Sequence, residues 1–247
     1  MENSAYCLTA LELLGSLADR SVGAMIFDPP FHVSVGRPSD PTAGFGKDPW
    51  TDVSSLDSVI EWTKPHAEQA SRVIRPGGAM VVMGGTQSLV GWDYCASKYG
   101  FHWMAELIIL WNAGKVRRNS FGSLHTRVVW YAKSGLRHTF NSKQVSIYSN
   151  VMVAKKVPES VKRHPSEKPV GVTNFLVSLL TKSDDLVVDP FCGSGSTLVS
   201  ADLADRRWLG SDLDQKYVDI TNSRVDNSGS EHCDPVHLWI NGRLQEV

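Results

Sequence analysis

At 247 residues, with 42% hydrophobic and 21% charged side chains, the chain can bury one large α/β core and does not have the composition of a disordered, collagenous or disulfide-stapled protein. No apolar stretch approaches membrane-spanning length and Met1-Glu2-Asn3-Ser4 lacks the basic and apolar regions of a secretory signal, so a cytoplasmic protein is expected. The net charge of −1 hides an asymmetry: Lys115 to Lys168 carries twelve Lys or Arg against Glu159 and Glu167, a balance of +10 that leaves −11 elsewhere.

From the N-terminus, Thr9-Ala10-Leu11-Glu12 has capping-box spacing, and Leu11, Leu14 and Leu17 or Ala18 recur at helical period, which predicts a first helix. Ala24-Met25-Ile26-Phe27 is a strand-type run that delivers Asp28-Pro29-Pro30-Phe31 at its C-terminal end, where open α/β sheets set their ligand sites. Two prolines remove N–H donors and leave carbonyls free, so this tetrapeptide is either a rigid loop or an acceptor-only cluster beside an aromatic ring. The Gly, Pro, Ser and Thr-rich stretch 32–55 reads as a loop or lid. A helix is predicted over 56–74, kinked or divided at Pro65, then a turn at Arg75-Pro76-Gly77-Gly78 and a buried strand over 79–83.

Residues 87–99 read as a helix closed by Gly100, and 106–111 and 127–132 as two strands forming an antiparallel edge pair. Between and after these two lies the basic region, with Lys115, Arg117, Arg118, Asn119, Lys155 and Lys156 among aromatic residues. Such a run is either a solvated surface or a phosphate-binding one, and its sign imbalance favours phosphate.

His164-Pro165-Ser166-Glu167-Lys168-Pro169 leads into an amphipathic helix over 172–180. The apolar run Leu186-Val187-Val188 then passes through Asp189-Pro190-Phe191-Cys192-Gly193-Ser194-Gly195-Ser196-Thr197 into a helix over 198–204. Two closely spaced glycines between strand and helix let backbone N–H groups approach a ligand; a tight structural turn is the simpler reading. The strand Trp208-Leu209-Gly210-Ser211 ends at Asp212, 23 positions after Asp189. That interval suits an acid at the neighbouring strand tip accepting ribose hydroxyls, and it favours an adenosine-type ligand. A helix over 214–225 and a short strand over 236–240 complete the chain. Cys7, Cys95, Cys192 and Cys233 show no C-x-x-C spacing, so reduced, mostly buried thiols are expected and no metal site.

The order Asp28-Pro29-Pro30-Phe31, basic segment, Phe191-x-Gly193-x-Gly195 is similar to the β class of DNA amino-methyltransferases dependent on S-adenosylmethionine. Ala10-Leu11-Glu12-Leu13-Leu14, Arg72 to Gly78, the His-Pro-x-x-Lys-Pro run and Asp189-Pro190-Phe191 match in family order. Leu8-Thr9, Gly23 and Thr126 depart from it, where the family favours Gly-Asp, an acid and Glu.

The resemblance implies a Rossmann-like α/β sheet, mostly parallel with an antiparallel edge, in circularly permuted motif order. It implies one methyltransferase domain over 1–247 with an inserted basic target-recognition segment at 112–163. Asp189, Phe191, Gly193, Ser194, Gly195, Ser196 and Thr197 would line the cofactor pocket, Asp212 would hold the ribose, and Ser166 and Lys168 would reach the amino-acid end. Asp28, Pro29, Pro30 and Phe31 would hold a base flipped out of double-stranded DNA, with Phe31 stacking on it. Lys115, Arg117, Arg118, Asn119, Lys155 and Lys156 would contact DNA. An opening Asp accompanies adenine in that family and favours N6-adenine; N4-cytosine methylation and a non-catalytic DNA-binding module stay open. A homodimer and a stand-alone enzyme, paired with a restriction enzyme or solitary, are further expectations, with no metal and no membrane partner.

Overall fold

Every residue from Val22 to Phe27 is buried, Val22, Met25 and Phe27 towards one side and Ala24 and Ile26 towards the other. A strand covered on both faces belongs at the centre of a layered α/β fold, and each fully buried large side chain contributes about 1.5–3 kcal/mol. The computed structural model describes residues 3–30, 55–112, 124–142, 149–231, 233–240 and 243–246. In chain order its elements are β1 (Ser4–Cys7), α1 (Ala10–Ser16), β2 (Val22–Phe27), α2 (Leu56–Val73), β3 (Ile74–Gly84), α3 (Thr86–Lys98), β4 (Phe101–Trp111) and β5 (His125–Lys133). Then follow β6 (Val151–Ala154), α4 (Val170–Leu180), β7 (Leu186–Asp189), α5 (Ser196–Leu203), β8 (Arg207–Asp212), α6 (Gln215–Asp226), β9 (His237–Ile240) and β10 (Arg243–Glu246).

The ten strands make one sheet in the order β1-β8-β7-β2-β3-β5-β4-β6-β9-β10. The half from β1 to β3 is parallel, whereas β5 runs antiparallel to both β3 and β4. Helices α1, α2 and α3 cover one face through Leu13, Leu14, Ala67, Ala70, Leu89 and Trp92. Helices α4, α5 and α6 cover the other through Val172, Leu176, Val177, Leu198, Val199 and Val218. From β2 the chain steps to β3 on one side, and from β7 to β8 on the other, so the sheet reverses its winding between β2 and β7. The C-terminal ends of the strands at such a switch point form a crevice.

Local rules explain the outline. Thr9 and Glu12 form the capping box of α1, with both reciprocal bonds present. Pro65 does not divide α2: it lies on the exposed side, where the Glu61 carbonyl deprived of its partner can meet water. The expected turn at Arg75 to Gly78 is instead a bulge inside β3. The pairing jumps from Val22↔Ile74 to Ala24↔Ala79, so three residues are looped out and Gly77 takes φ +74. Strands β4 and β5 are not an edge pair, because β6, β9 and β10 continue the sheet beyond β4. Cys95 and Cys192 are buried but Cys7 and Cys233 are exposed, and all four are free. Among the described residues no helix is long and apolar enough to cross a membrane, and no cluster of His, Cys, Asp or Glu could hold a metal.

Candidate active site

Parallel pairing of β2 with β7 puts Ala24 beside Val187 and Met25 beside Val188, so the two strand tips emerge side by side. Asp28 leaves β2 and Asp189 ends β7. Asp212 ends β8, which pairs with β7 through Asp189↔Gly210. Asp28, His164, Ser166, Lys168, Asp189, Phe191, Gly193, Ser194, Ser196 and Thr197 all line one cavity of about 50 Å³. A larger cavity of about 220 Å³ beside α4 is lined by Asn141, Asn174, Phe175, Cys233 and Asp234 and by none of the candidate site residues.

The glycine loop is fastened from behind. Gly193 and Gly195 take φ +51 and +82, and a Cβ on Gly195 would stand 2.6 Å from Thr221. Three loop carbonyls accept from buried side chains: Gly193 from the Thr221 hydroxyl at 2.9 Å, Ser194 from Arg224 at 2.6 Å and Ser196 from the Thr173 hydroxyl at 3.0 Å. These bonds turn the carbonyls back into the core, and the Gly195 N–H closes the turn on the Cys192 carbonyl at 2.7 Å, so that the N-terminal end of α5 lines the cavity. The Gly193 N–H donates to Asp212 at 3.0 Å, and the other Asp212 oxygen accepts from the Asp214 N–H at 2.9 Å. Asp189 accepts from the Phe191 N–H at 3.0 Å and from the Thr197 hydroxyl. The Phe191 ring packs against Phe27, Trp62 and His66, with centroids 5.8 to 5.9 Å apart.

The segment 164–169 folds across this loop. Its Lys168 carbonyl accepts from the Ser196 hydroxyl at 2.7 Å, and the His164 ring lies against Gly193 and edge-on to Tyr217. Ser166 donates its N–H to His164 Nδ1 at 3.1 Å. The Lys168 ammonium pairs with Asp28 Oδ2 and also donates to the Ser166 carbonyl at 3.1 Å.

Electrostatics follow from burial. Loss of water pushes the Asp28 carboxyl up to about 6 against the opposing pull of Lys168. Asp189 is pushed up to about 7 by burial, with Asp28 and Asp212 adding repulsion. Asp212 is also raised, again mainly by burial. Burial and the nearby Lys168 push His164 down to about 4, so it is neutral at pH 7. Asp28 Oδ1 is buried and has no hydrogen-bond partner among the described residues. An orphaned acceptor beside clustered carboxylates suits a ligand carrying N–H donors and positive charge.

Of the residues singled out in the sequence, Asp28 and those from Ser166 to Asp212 converge here. Phe31, Lys115, Arg117, Arg118 and Asn119 lie outside the described residues, as does most of the loop after Pro30. Pro29 is buried and Pro30 exposed, both just beyond β2. Lys155 and Lys156 are exposed and follow β6. Because β6 is parallel to β4, and β4 and β3 are both antiparallel to β5, these lysines leave the sheet at the same end as Asp28.

The sequence reading missed Arg224, whose guanidinium binds Glu231 bidentately at 2.9 and 3.0 Å and lies 3.4 Å from Glu167. Arg163 completes the network on Glu167 and Glu231, each at 3.1 Å. The available signal was an arginine on the stripe Val218, Thr221, Val225, where α6 buries its face.

A model of the DNA methylase family covering N6 and N4 amino-methyltransferases matches residues 22–223. The chain is 24% identical over 233 residues to the type II methyltransferase M2.DpnII of Streptococcus pneumoniae, covering 87% of this chain and 86% of that one. It is likewise 24% identical over 241 residues to M2.LlaDCHI of Lactococcus lactis subsp. cremoris, covering 90% and 88%. Among solved structures, the M1.HpyAVI–SAM complex superposes with a TM-score of 0.68 at 20% identity, covering 90% of this chain and 98% of that one. The cytosine-N4-specific PvuII DNA methyltransferase does so with 0.71 at 19% identity, covering 92% and 91%. With residues 22–223 matched, this chain belongs to the N6/N4 DNA methylase family.

Proposed function

We propose that this chain methylates the N6 amine of adenine in double-stranded DNA, with S-adenosylmethionine as methyl donor. The observation that carries the reading is the cavity lined both by the glycine loop and by Asp28, whose Oδ1 has no hydrogen-bond partner among the described residues. The residues fit the donor: the N-terminal end of α5 and the Asp212 carboxylate suit its nucleoside, and the carboxylate cluster suits its sulfonium charge. When bound, the donor supplies an electrophilic methyl group.

The chain's own residues prepare the acceptor. An exocyclic amine is a weak nucleophile because its lone pair is delocalised into the ring. Asp28 Oδ1 accepts one N–H and the Pro29 carbonyl the other, which lets the nitrogen pyramidalise and aim its lone pair at the methyl carbon. The N–C bond forms as the S–C bond breaks, and the proton leaves the amine after transfer. A base inside a duplex cannot reach this crevice, so the nucleotide is flipped out, with Phe31 as its stacking partner. Lys155 and Lys156, with Lys115, Arg117, Arg118 and Asn119, bind the flanking DNA.

Asp28→Ala is expected to lower transfer of labelled methyl to DNA at least 1,000-fold, about 4 kcal/mol of transition-state stabilisation, with donor affinity held within a few fold. Full activity in that variant would refute the assignment. The fold likeness to a cytosine-N4-specific enzyme keeps N4-cytosine as the second reading, since the same two acceptors serve either amine. Mass analysis of nucleosides from methylated DNA separates the two.

A further inference from the structure

Asp28 has one oxygen committed and one open. Lys168 holds Oδ2 across the crevice, Oδ1 has no partner among the described residues, and both side chains are nearly buried, at 13% and 14% exposure. The lysine arrives from a segment 140 positions later in the chain, and that segment is braced at both ends. Its backbone is tied to the glycine loop through Ser196, and its neighbour Glu167 is clamped by Arg163 and Arg224. A lysine held in this way is built to reach a fixed target, not to search for a mobile one.

We propose that Lys168 is a positioning residue for Asp28, its ammonium fixing Oδ2 so that Oδ1 alone faces the incoming amine. The identity of that amine rests on the methyl-transfer reading; the pairing itself does not. The family resemblance sends Lys168 to the donor's carboxylate, and the geometry gives it this further partner.

The surroundings make the ammonium matter. Asp189 faces Asp28 from β7 and Asp212 stands beyond it on β8, both adding negative charge. Glu167 and His164 line the same cavity from the lysine's own segment, Glu167 turned to Arg163 and Arg224 and His164 neutral. Among the described residues Lys168 is the cation that offsets this charge at Asp28. Without it a buried carboxyl takes a proton near neutral pH and presents a hydrogen where the amine needs an acceptor.

The test titrates Asp28 directly. Carbon-13-labelled aspartate carboxyls are followed by NMR from pH 4 to 9 in ligand-free wild type, Lys168→Met and Lys168→Arg, with Asp28→Asn giving the assignment. The Asp28 midpoint should rise by about one unit or more in Lys168→Met and return in Lys168→Arg. In single-turnover transfer at saturating S-adenosylmethionine, the acid limb of the Lys168→Met rate should move up by the same amount, with activity recovered at high pH. Lys168→Gln, neutral but able to hydrogen-bond, replaces Lys168→Met if the latter does not fold.

An unmoved midpoint in a folded neutral variant overturns the proposal. So does a weakened donor KM with an unmoved acid limb, which would leave Lys168 as a donor-binding group alone. A moved midpoint in a protein that transfers no methyl group to DNA upholds the pairing and sinks the assigned reaction instead.

Discussion

Asp28 and Asp189 are carboxyls that the fold pushes to about 6 and about 7, from an ordinary value of 3.8. A raised carboxyl makes folding take up protons, so stability falls as pH climbs from about 4 to about 7, and the penalty is complete above that window. Asp28→Asn removes one such charge. It is expected to stabilise the protein at pH 8 by about 1–3 kcal/mol, a rise of several degrees in melting temperature, and the gain should vanish by pH 4. Melting curves at pH 4, 6 and 8 check this; a difference independent of pH would contradict it. The strain accords with a site in which stability yields to function. At this scale the sequence marked residues that the fold brings to one crevice and was silent about their partners. Asp28, Asp189 and Asp212 announce themselves by standing at the ends of apolar runs. Nothing local to Lys168 or Arg224 says that one reaches Asp28 and the other holds Ser194 and Glu231.

The same division holds for elements. Strands β2, β7 and β8 were legible because both faces are buried and their apolar runs end at an acid. Strands β1, β6 and β10 were not: β1 and β10 are four-residue strands without a continuous apolar run, and β6 sits inside a segment dominated by its charge. Arg75-Pro76-Gly77-Gly78 has the punctuation of a turn, yet β2 pairs with β3 before it at Ile74 and after it from Ala79, which keeps it in the sheet as a bulge. The glycine loop was read correctly as an element, and its geometry now gives a test. Gly195 is the left-handed N-cap of α5, and the Thr221 side chain it would strike is pinned to the Gly193 carbonyl. Gly195→Ala therefore meets both backbone strain and a clash, at a cost of about 1–3 kcal/mol. With the loop displaced, affinity for S-adenosylmethionine should fall at least tenfold by calorimetry while the far-UV spectrum stays native. Wild-type affinity in that variant would deny the loop its binding role.

For the molecule as a whole, strand direction sorts the basic residues that the sequence could only count. Strand β4 rises to the end of the sheet that holds Asp28, β5 descends, and β6 rises again. Trp111 and Leu124, on either side of the first basic run, are joined near that end by the Trp111 N–H to Leu124 carbonyl bond at 2.8 Å. Lys155 and Lys156 emerge there too, the Lys156 N–H bonded to the Asn112 side chain at 3.1 Å. Lys133 ends β5 at the opposite end, where its ammonium donates to the Tyr99 carbonyl at 2.7 Å, and Arg137 follows it. The +10 balance is therefore not one surface. If DNA crosses the crevice, phosphates meet Lys155 and Lys156 and miss Arg137. Replacing both lysines with Gln should reduce the slope of log affinity against log salt by about 2, since each phosphate neutralised contributes about 0.9. Arg137→Gln should leave the slope unchanged, and neither change should alter single-turnover transfer at saturating DNA. Equal loss of slope in the two variants would mean that DNA does not approach the sheet from the end that carries Asp28.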